Sequence, residues 1–261
     1  MQDEPKSLIS RLEHLPLNKW AYKKVTDSTN DDALAWAEAG APDFSLIIAD
    51  EQLRGRGRAD RKWVTHPGSS LAFSLILRPE IIEVPFINRF VALPALALAH
   101  ILGSTYQVNA CLKWPNDVLI GGAKVSGILM ESTWQDDHPT AVIIGMGVNV
   151  NQGSVPDDGM LNYAATSIEA VLDNPLDRWL LLSNIILNIF SLRKIICRDE
   201  FINQWNERLA FKAEWVRISA VDQDHKVKVL GINNYGYLEV EDQFSKQHTI
   251  EFGEIFHTYA Q

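Results

Sequence analysis

Three clusters hold the residues best suited to chemistry. The first is Gln52-Leu53-Arg54-Gly55-Arg56-Gly57-Arg58-Ala59-Asp60-Arg61-Lys62-Trp63. It has five cations and one acid in twelve residues, within a chain of formal net charge −9. Glycines at alternate positions let a backbone approach a ligand and adopt dihedrals closed to other residues. Arginines between them can grip a carboxylate or phosphate through two parallel hydrogen bonds. The loop lacks the lysine–hydroxyl ending of a Walker A motif, so it is not a P-loop. Taken alone, it reads either as an anion site or as a solvated basic turn. The second cluster is Lys113-Trp114-Pro115-Asn116-Asp117, a cation, an amide and a carboxylate at a proline turn, followed by Lys124 at the entrance to Val125-Ser126-Gly127-Ile128-Leu129. A lysine entering a buried strand is costly unless its ammonium has a partner; a lysine that snorkels to water is the alternative. In the third cluster, Gly145-Met146-Gly147-Val148-Asn149, two glycines share one face of an apolar strand. They either leave room for a flat ligand or mark an edge bulge.

The elements that must position these clusters are legible around them. The segment TDSTNDDALAWAEAG reads as a helix with Ser28 or Thr29 as cap, Asp31 and Asp32 in its first turn and Gly40 as its stop. SLIIAD at 45–50 is a strand leading directly into the basic loop, and SLAFSLILRP at 70–79 is another, ended by Pro79. Residues 87–104 read as a buried helix. CLKWPNDVLI, KVSGILMEST and AVIIGMGVNV follow as strands, the first two joined by a hairpin at Gly121-Gly122. Thr166-Ser167-Ile168-Glu169 is a capping box, and one long helix is expected over 176–208. After Lys212 the pattern changes to strands, WVRIS, KVKVLGI, YGYLEVE and HTIEFGEIF, which predicts two domains, 1–212 and 213–261.

Bulk properties narrow the function classes. At 261 residues, 46% hydrophobic and 22% charged, the chain resembles an ordinary globular protein with one sizeable core. MQDEPKSLIS is acidic and polar, unlike a signal peptide. The longest apolar run, Phe90 to Gly103, contains Pro94 and His100 and is too short for a membrane span. Cys111 and Cys197 read as buried thiols of a reducing cytoplasm. The acidic balance argues against a nucleic-acid binder working by bulk charge.

In this order and spacing, GRGRADRKW, KWPND, KVSGILME and GMGVNVN resemble the bacterial biotin–protein ligase family, as do LGINNYGYLEV and IEFGEIF near the C-terminus. The resemblance implies an α/β (α+β) fold, with a mixed-sheet catalytic domain of the biotin/lipoate ligase type and a small C-terminal SH3-like β-barrel. The implied reaction activates biotin with ATP and Mg2+ to biotinyl-5′-AMP, then transfers biotin to a lysine of a biotin carboxyl carrier protein. Residue roles follow from the same resemblance. Ser28, Thr29 and Asn30 should bind the biotin head, with Gln52 beside it. Gly55, Arg56, Gly57 and Arg58 should meet the carboxyl end and the adenylate phosphate. Trp63 should pack near the nucleotide, which Lys113 should also help to bind. Lys124 should bind carboxylate and phosphoryl oxygens in both steps, and Asn116 and Asp117 should serve the ATP–Mg side, Asp117 also orienting the acceptor amine. Gly127, Gly147 and Asn149 should line the biotin and adenine pockets. Lys124, Arg58 and Asp117 are the implied catalytic residues.

Two departures from the family pattern stand out. The family loop reads GRGRxGRxW, whereas Asp60 occupies the place of the later glycine. Asp60 is expected to add charge beside the arginines and to pair with Arg58 or Arg61. Some family members carry an N-terminal winged helix for DNA, and the roughly 25 residues before Ser28 are too few for one; a ligase without repressor activity is therefore expected, acting on neither DNA nor membrane. Monomer and homodimer remain open, since sheet edges can pair. Alternative functions are a lipoate or octanoate ligase or transferase of the same superfamily, and a biotin-binding sensor without catalysis.

Overall fold

A computed structural model describes residues 5–155, 164–220 and 223–256. A seven-stranded mixed sheet has the order β1-β2-β3-β7-β6-β5-β4. Its strands are β1 (Lys19–Thr26), β2 (Ser45–Gln52), β3 (Ser70–Leu77), β4 (Ala110–Lys113), β5 (Asp117–Ile120), β6 (Ala123–Gln135) and β7 (His138–Asn149). Only β1 and β2 pair in parallel. A second, antiparallel sheet follows, built from β8 (Trp215–Ala220), β9 (Gln223–Ile232), β10 (Leu238–Glu241), β11 (Gln247–Ile250) and β12 (Glu254–Phe256). The chain thus has the mixed α/β architecture with a C-terminal β unit that its sequence predicts.

The two faces of the large sheet are covered differently. Leu71, Phe73, Leu75 and Leu77 of β3 alternate toward the main core, where they join Val142, Ile144, Met146 and Val148 of β7. Helices α3 (Ala92–Tyr106) and α5 (Arg178–Arg193) close that core. On the other face, α2 (Thr29–Glu38) lays Ala33 and Ala37 against Ile47, Ile76, Ala141 and Ile143. Those alanines let α2 sit close to the sheet, and the face continues beyond the helix as an open floor.

Several expected elements differ in extent. The sequence reading missed α1 (Lys6–Leu12) and β1. CLKWPNDVLI is two strands, β4 and β5, folded back on each other through a turn with a cis Trp114–Pro115 bond. The Gly121-Gly122 hairpin forms with φ of +57° and +82°, the left-handed values that favour glycine there. The helix expected over 176–208 is interrupted between α5 and α6 (Asp199–Glu207). Residues 195–198 turn through i→i+3 bonds, and carbonyls freed by the break are met by buried Arg89, which donates to Ile196 O at 2.6 Å and Arg198 O at 3.1 Å. Arg89 also donates to Asn234 O, tying the C-terminal sheet to this junction. HTIEFGEIF divides into β11 and β12. Cys111 and Cys197 are free and only half-buried, not buried as expected. Helical residues run from Ile81 to Tyr106 with a kink at Phe86 (φ −111°, ψ 20°); the stretch is long and apolar enough by composition to cross a membrane, yet α3 packs into the main core.

Candidate active site

A cavity of about 590 Å³ opens on the sheet face beyond α2. Its floor is built by alternation. Ala72 and Ser74 of β3 lie opposite Gly147 and Gly145 of β7, and Gly127 of β6 lies opposite Gly147. Where the face meets α2 it carries Ile47, Ile76, Ala141 and Ile143; over the cavity it is lined by Gly127, Gly145 and Gly147. Two of the chain's own side chains rest on that floor. A methyl carbon on Gly145 would lie 2.0 Å from Asn30 Oδ1, and one on Gly147 would lie 2.1 Å from the Trp63 indole. The space that the glycines open is thus occupied by an amide and an aromatic ring.

One end of the cavity is neutral and hydrogen-bonded. Ser28 is the N-cap of α2, but its side chain makes no cap bond. The Thr29 N–H instead donates to Gln52 Oε1 at 2.8 Å, and Thr29 Oγ1 donates to the same oxygen at 3.0 Å. The helix start is therefore capped across space by the last residue of β2, and Ser28 turns to the cavity. Ser74 Oγ, fully buried, lies 2.7 Å from Thr29 Oγ1 and 2.6 Å from Asn30 Oδ1. Asn30 Nδ2 donates to Glu131 Oε2 at 2.7 Å and to Leu129 O at 3.3 Å. The Gln52 N–H donates to Thr65 Oγ1, so both ends of the basic loop are pinned to this network.

The other end is charged. The basic loop is a hairpin: Arg56 bridges Lys62, Gly57 N donates to Arg61 O, and Trp63 N donates to Gly55 O. Its tip, Ala59 and Asp60, has φ of +51° and +57° with Arg61 N bonded to Arg58 O. Two successive left-handed residues give the signature of a type I′ turn, which explains why a glycine suits position 60. Asp60 is exposed and forms no ion pair among the described residues, contrary to the expected pairing. Arg61 binds Glu254 with both Nη atoms, and Arg58 Nη1 lies 3.4 Å from Gly253 O; the loop therefore turns to the C-terminal sheet.

Behind it, Lys124 Nζ lies 2.6 Å from Asp117 Oδ1 and 5.7 Å from the Trp63 ring centre. The lysine at the strand entrance thus has both an anion and an aromatic face, which resolves the snorkelling alternative. The buried Asp117 Oδ1 thus has the Lys124 ammonium as its near partner. Lys113 is buried 4.0 Å from Asp117 and 3.7 Å from Glu254. Burial holds the Lys113 ammonium below its ordinary pKa, opposed by those two carboxylates. Burial also lowers the Arg58 guanidinium, partly offset by Glu254 and Asp117. Four cations around two carboxylates leave this end positive, an environment fit for a polyanion.

Most of the sequence-predicted site residues therefore meet in one cavity. Ser28, Thr29, Asn30 and Gln52 form its neutral end; Arg56, Gly57, Arg58 and Trp63 its loop wall; Asn116, Asp117, Lys124, Gly127, Gly147 and Asn149 its far wall and floor. Gly55 and Lys113 do not line it. Gly55 lets the hairpin arms approach, since a methyl carbon there would lie 2.3 Å from Trp63 O, and Lys113 stands behind Asp117. Asn116 and Asn149 each donate one amide hydrogen to a backbone carbonyl, Ile128 O and Thr166 O respectively. Sequence reading missed Ser74, Glu131 and the C-terminal contributors Ser219, Gly253, Glu254 and Phe256. Glu131 ends the motif KVSGILME and Glu254 lies within IEFGEIF, so both were within reach.

The chain is similar in sequence and fold to known proteins. Residues 22–149 match the model of the Biotin/lipoate A/B protein ligase family. The chain is 37% identical over 64% of its length to the bifunctional ligase/repressor BirA of Bacillus spizizenii, and 39% identical over 54% to the biotin–[acetyl-CoA-carboxylase] ligase of Paracoccus denitrificans. It spans 51% and 58% of those two proteins, respectively. A biotin protein ligase from Aquifex aeolicus, solved in complex with biotin and ATP, superposes with a TM-score of 0.77 at 25% identity, covering 92% of this chain and 98% of that one. Residues 22–149 are thus a domain of the biotin/lipoate A/B protein ligase type.

Proposed function

We propose that the protein is a biotin–protein ligase, which joins the biotin carboxylate to the AMP part of ATP with release of pyrophosphate, and then passes the biotinyl group to a lysine amine of a biotin carboxyl carrier protein with release of AMP. The observation that carries this reading is a single cavity whose neutral end and cationic end meet across a glycine floor. A ureido ring with hydrogen-bonding edges suits Ser28, Thr29, Asn30 and Gln52. A carboxylate approaching a triphosphate suits Arg56, Arg58 and Lys124, because fixed cations offset the repulsion between the two anions. The relative solved with biotin and ATP supports the same pair of ligands.

In this reading Lys124 and Arg58 stabilise negative charge developing on the phosphoryl and carboxylate oxygens. Asp117, a carboxylate lining the cavity beside Lys124, holds the acceptor amine. No nucleophilic side chain is needed, since the acyl-adenylate reacts directly with an amine. The hairpin and Trp63 shield that anhydride from water. Among the described residues no three carboxylate, histidine or cysteine side chains converge as a metal site. Asp117 beside Asn116 fits a Mg2+ that arrives on the nucleotide phosphates, the usual way this ion is held.

Incubation with biotin, MgATP and a carrier domain, read by intact mass and pyrophosphate release, is the test. One biotinyl group per carrier is expected. Absence of biotin-dependent pyrophosphate would overturn the ligase reading and favour a sensor; faster release with lipoate or octanoate would move the assignment within the family.

A further inference from the structure

Glu131 bridges the two ends of the cavity, although it belongs to neither. Its Oε2 accepts from Asn30 Nδ2 at 2.7 Å and from Arg56 Nη2 at 2.8 Å, while Oε1 accepts from Arg56 Nη1 at 3.0 Å. One carboxylate thus holds an amide on the glycine floor and, by a two-pronged grip, the first arginine of the basic loop. The chain of contacts continues from Asn30 through Ser74 and Thr29 to Gln52 and Thr65, beyond the other end of the loop. With both its hydrogens donated and Ser74 beside Oδ1, the Asn30 amide has one orientation.

We infer that Glu131 is a positioning residue for the carboxylate substrate: it sets the Asn30 amide and the Arg56 guanidinium at a fixed separation, so that one ligand meets both. The inference rests on the ligase reading of this cavity. The charge and length of Glu131 both matter. Glutamine has one acceptor oxygen, so it cannot serve Asn30 and both Arg56 nitrogens, and its amide nitrogen would face a guanidinium nitrogen. Arg56 would then keep only Asp31, at 2.6 Å on the more exposed side of the loop, and would be drawn away from the ligand. Burial lowers the Arg56 pKa while Glu131 and Asp31 raise it by more, consistent with an arginine held by this carboxylate.

The test is biotin-dependent pyrophosphate release by the full chain and its Glu131→Gln and Glu131→Asp variants, with KM measured separately for biotin and ATP. Glu131→Gln should raise KM for biotin about tenfold, as loss of a supporting contact commonly does, and leave KM for ATP within about twofold. Glu131→Asp keeps the charge on a stem one methylene shorter and should recover part of the loss. An unchanged biotin KM, or equal rises in both KM values, would overturn the inference. A lower biotin KM would also overturn it, since Glu131 would then restrain Arg56 from the ligand. A wild-type chain releasing no pyrophosphate with biotin sinks the ligase reading and this inference together; an active wild type with an unaffected Glu131→Gln variant sinks the inference alone.

Discussion

The two ends of the cavity are built on different principles. The neutral end is carried by one sheet and one helix, and its groups are buried and locked by neighbours: Thr29 by Gln52, Asn30 by Ser74 and Glu131. The charged end is assembled from a hairpin, a proline turn, a strand entrance and the C-terminal sheet, and its members are held by ion pairs such as Arg61–Glu254 and Lys124–Asp117. Hydrogen bonds among buried neutral groups demand close geometry and reward a rigid scaffold. Charges act over longer distances, so separate segments can supply them, and they can move when a polyanion arrives. In the proposed ligase, shape selection would belong to the neutral end and bond making to the charged one.

The strongest challenge to this contrast is Lys124→Ala. If fixed positive charge drives activation, pyrophosphate release should fall about 100- to 1,000-fold with an unchanged circular dichroism spectrum. A variant releasing pyrophosphate near the wild-type rate would remove the charged end from the chemistry.

Gly145→Ala probes the rigid end. Its methyl would strike Asn30 Oδ1 and displace that amide; loss of one ligand hydrogen bond, about 0.5–1.5 kcal/mol, corresponds to a rise of about 2- to 13-fold in the biotin dissociation constant. Calorimetry should show that loss for biotin with ATP binding little altered. Equal losses for both ligands would mean that the two ends are not separable.

A smaller effect is expected from Glu254→Gln, which removes the partner of Arg61 and one neighbour of Lys113. The Arg61 pair is part-exposed, so about 1 kcal/mol or roughly fivefold is the scale. The rise should fall on KM for ATP. A rise confined to KM for biotin would contradict the assignment of the C-terminal sheet to the charged end.

Asp60→Gly should have the mildest effect. Position 60 has φ of +57°, where a side chain costs about 1 kcal/mol relative to glycine, so the variant should tighten biotin binding by less than about tenfold. Weakening beyond tenfold would make Asp60 a part of the ligand site.

The sequence by itself specified the core strands and the chemistry of the cavity. β2, β3 and β7 are legible because apolar β-formers run between turn residues, whereas GRGR, KWPND and Lys124, each open to a plain structural reading alone, point to a ligand through their ordered resemblance to a known family. Much less was available where partners are distant along the chain. β1 carries three lysines in eight residues, KWAYKKVT, and becomes a strand by pairing in parallel with β2. The interruption between α5 and α6 takes its support from Arg89, over a hundred residues away in sequence. The two glycines of GMGVN signalled open space on one face, but only the folded sheet shows Asn30 and Trp63 filling it. Likewise, Glu131 and Glu254 are ordinary acidic residues in sequence. They gain their roles when tertiary structure brings Asn30 and Arg56 to one carboxylate, and Arg61 and Lys113 to the other. Local patterning sets which face of a strand or helix is buried and where a chain can turn. Which charge meets which depends on long-range closure, and periodicity carries no record of it.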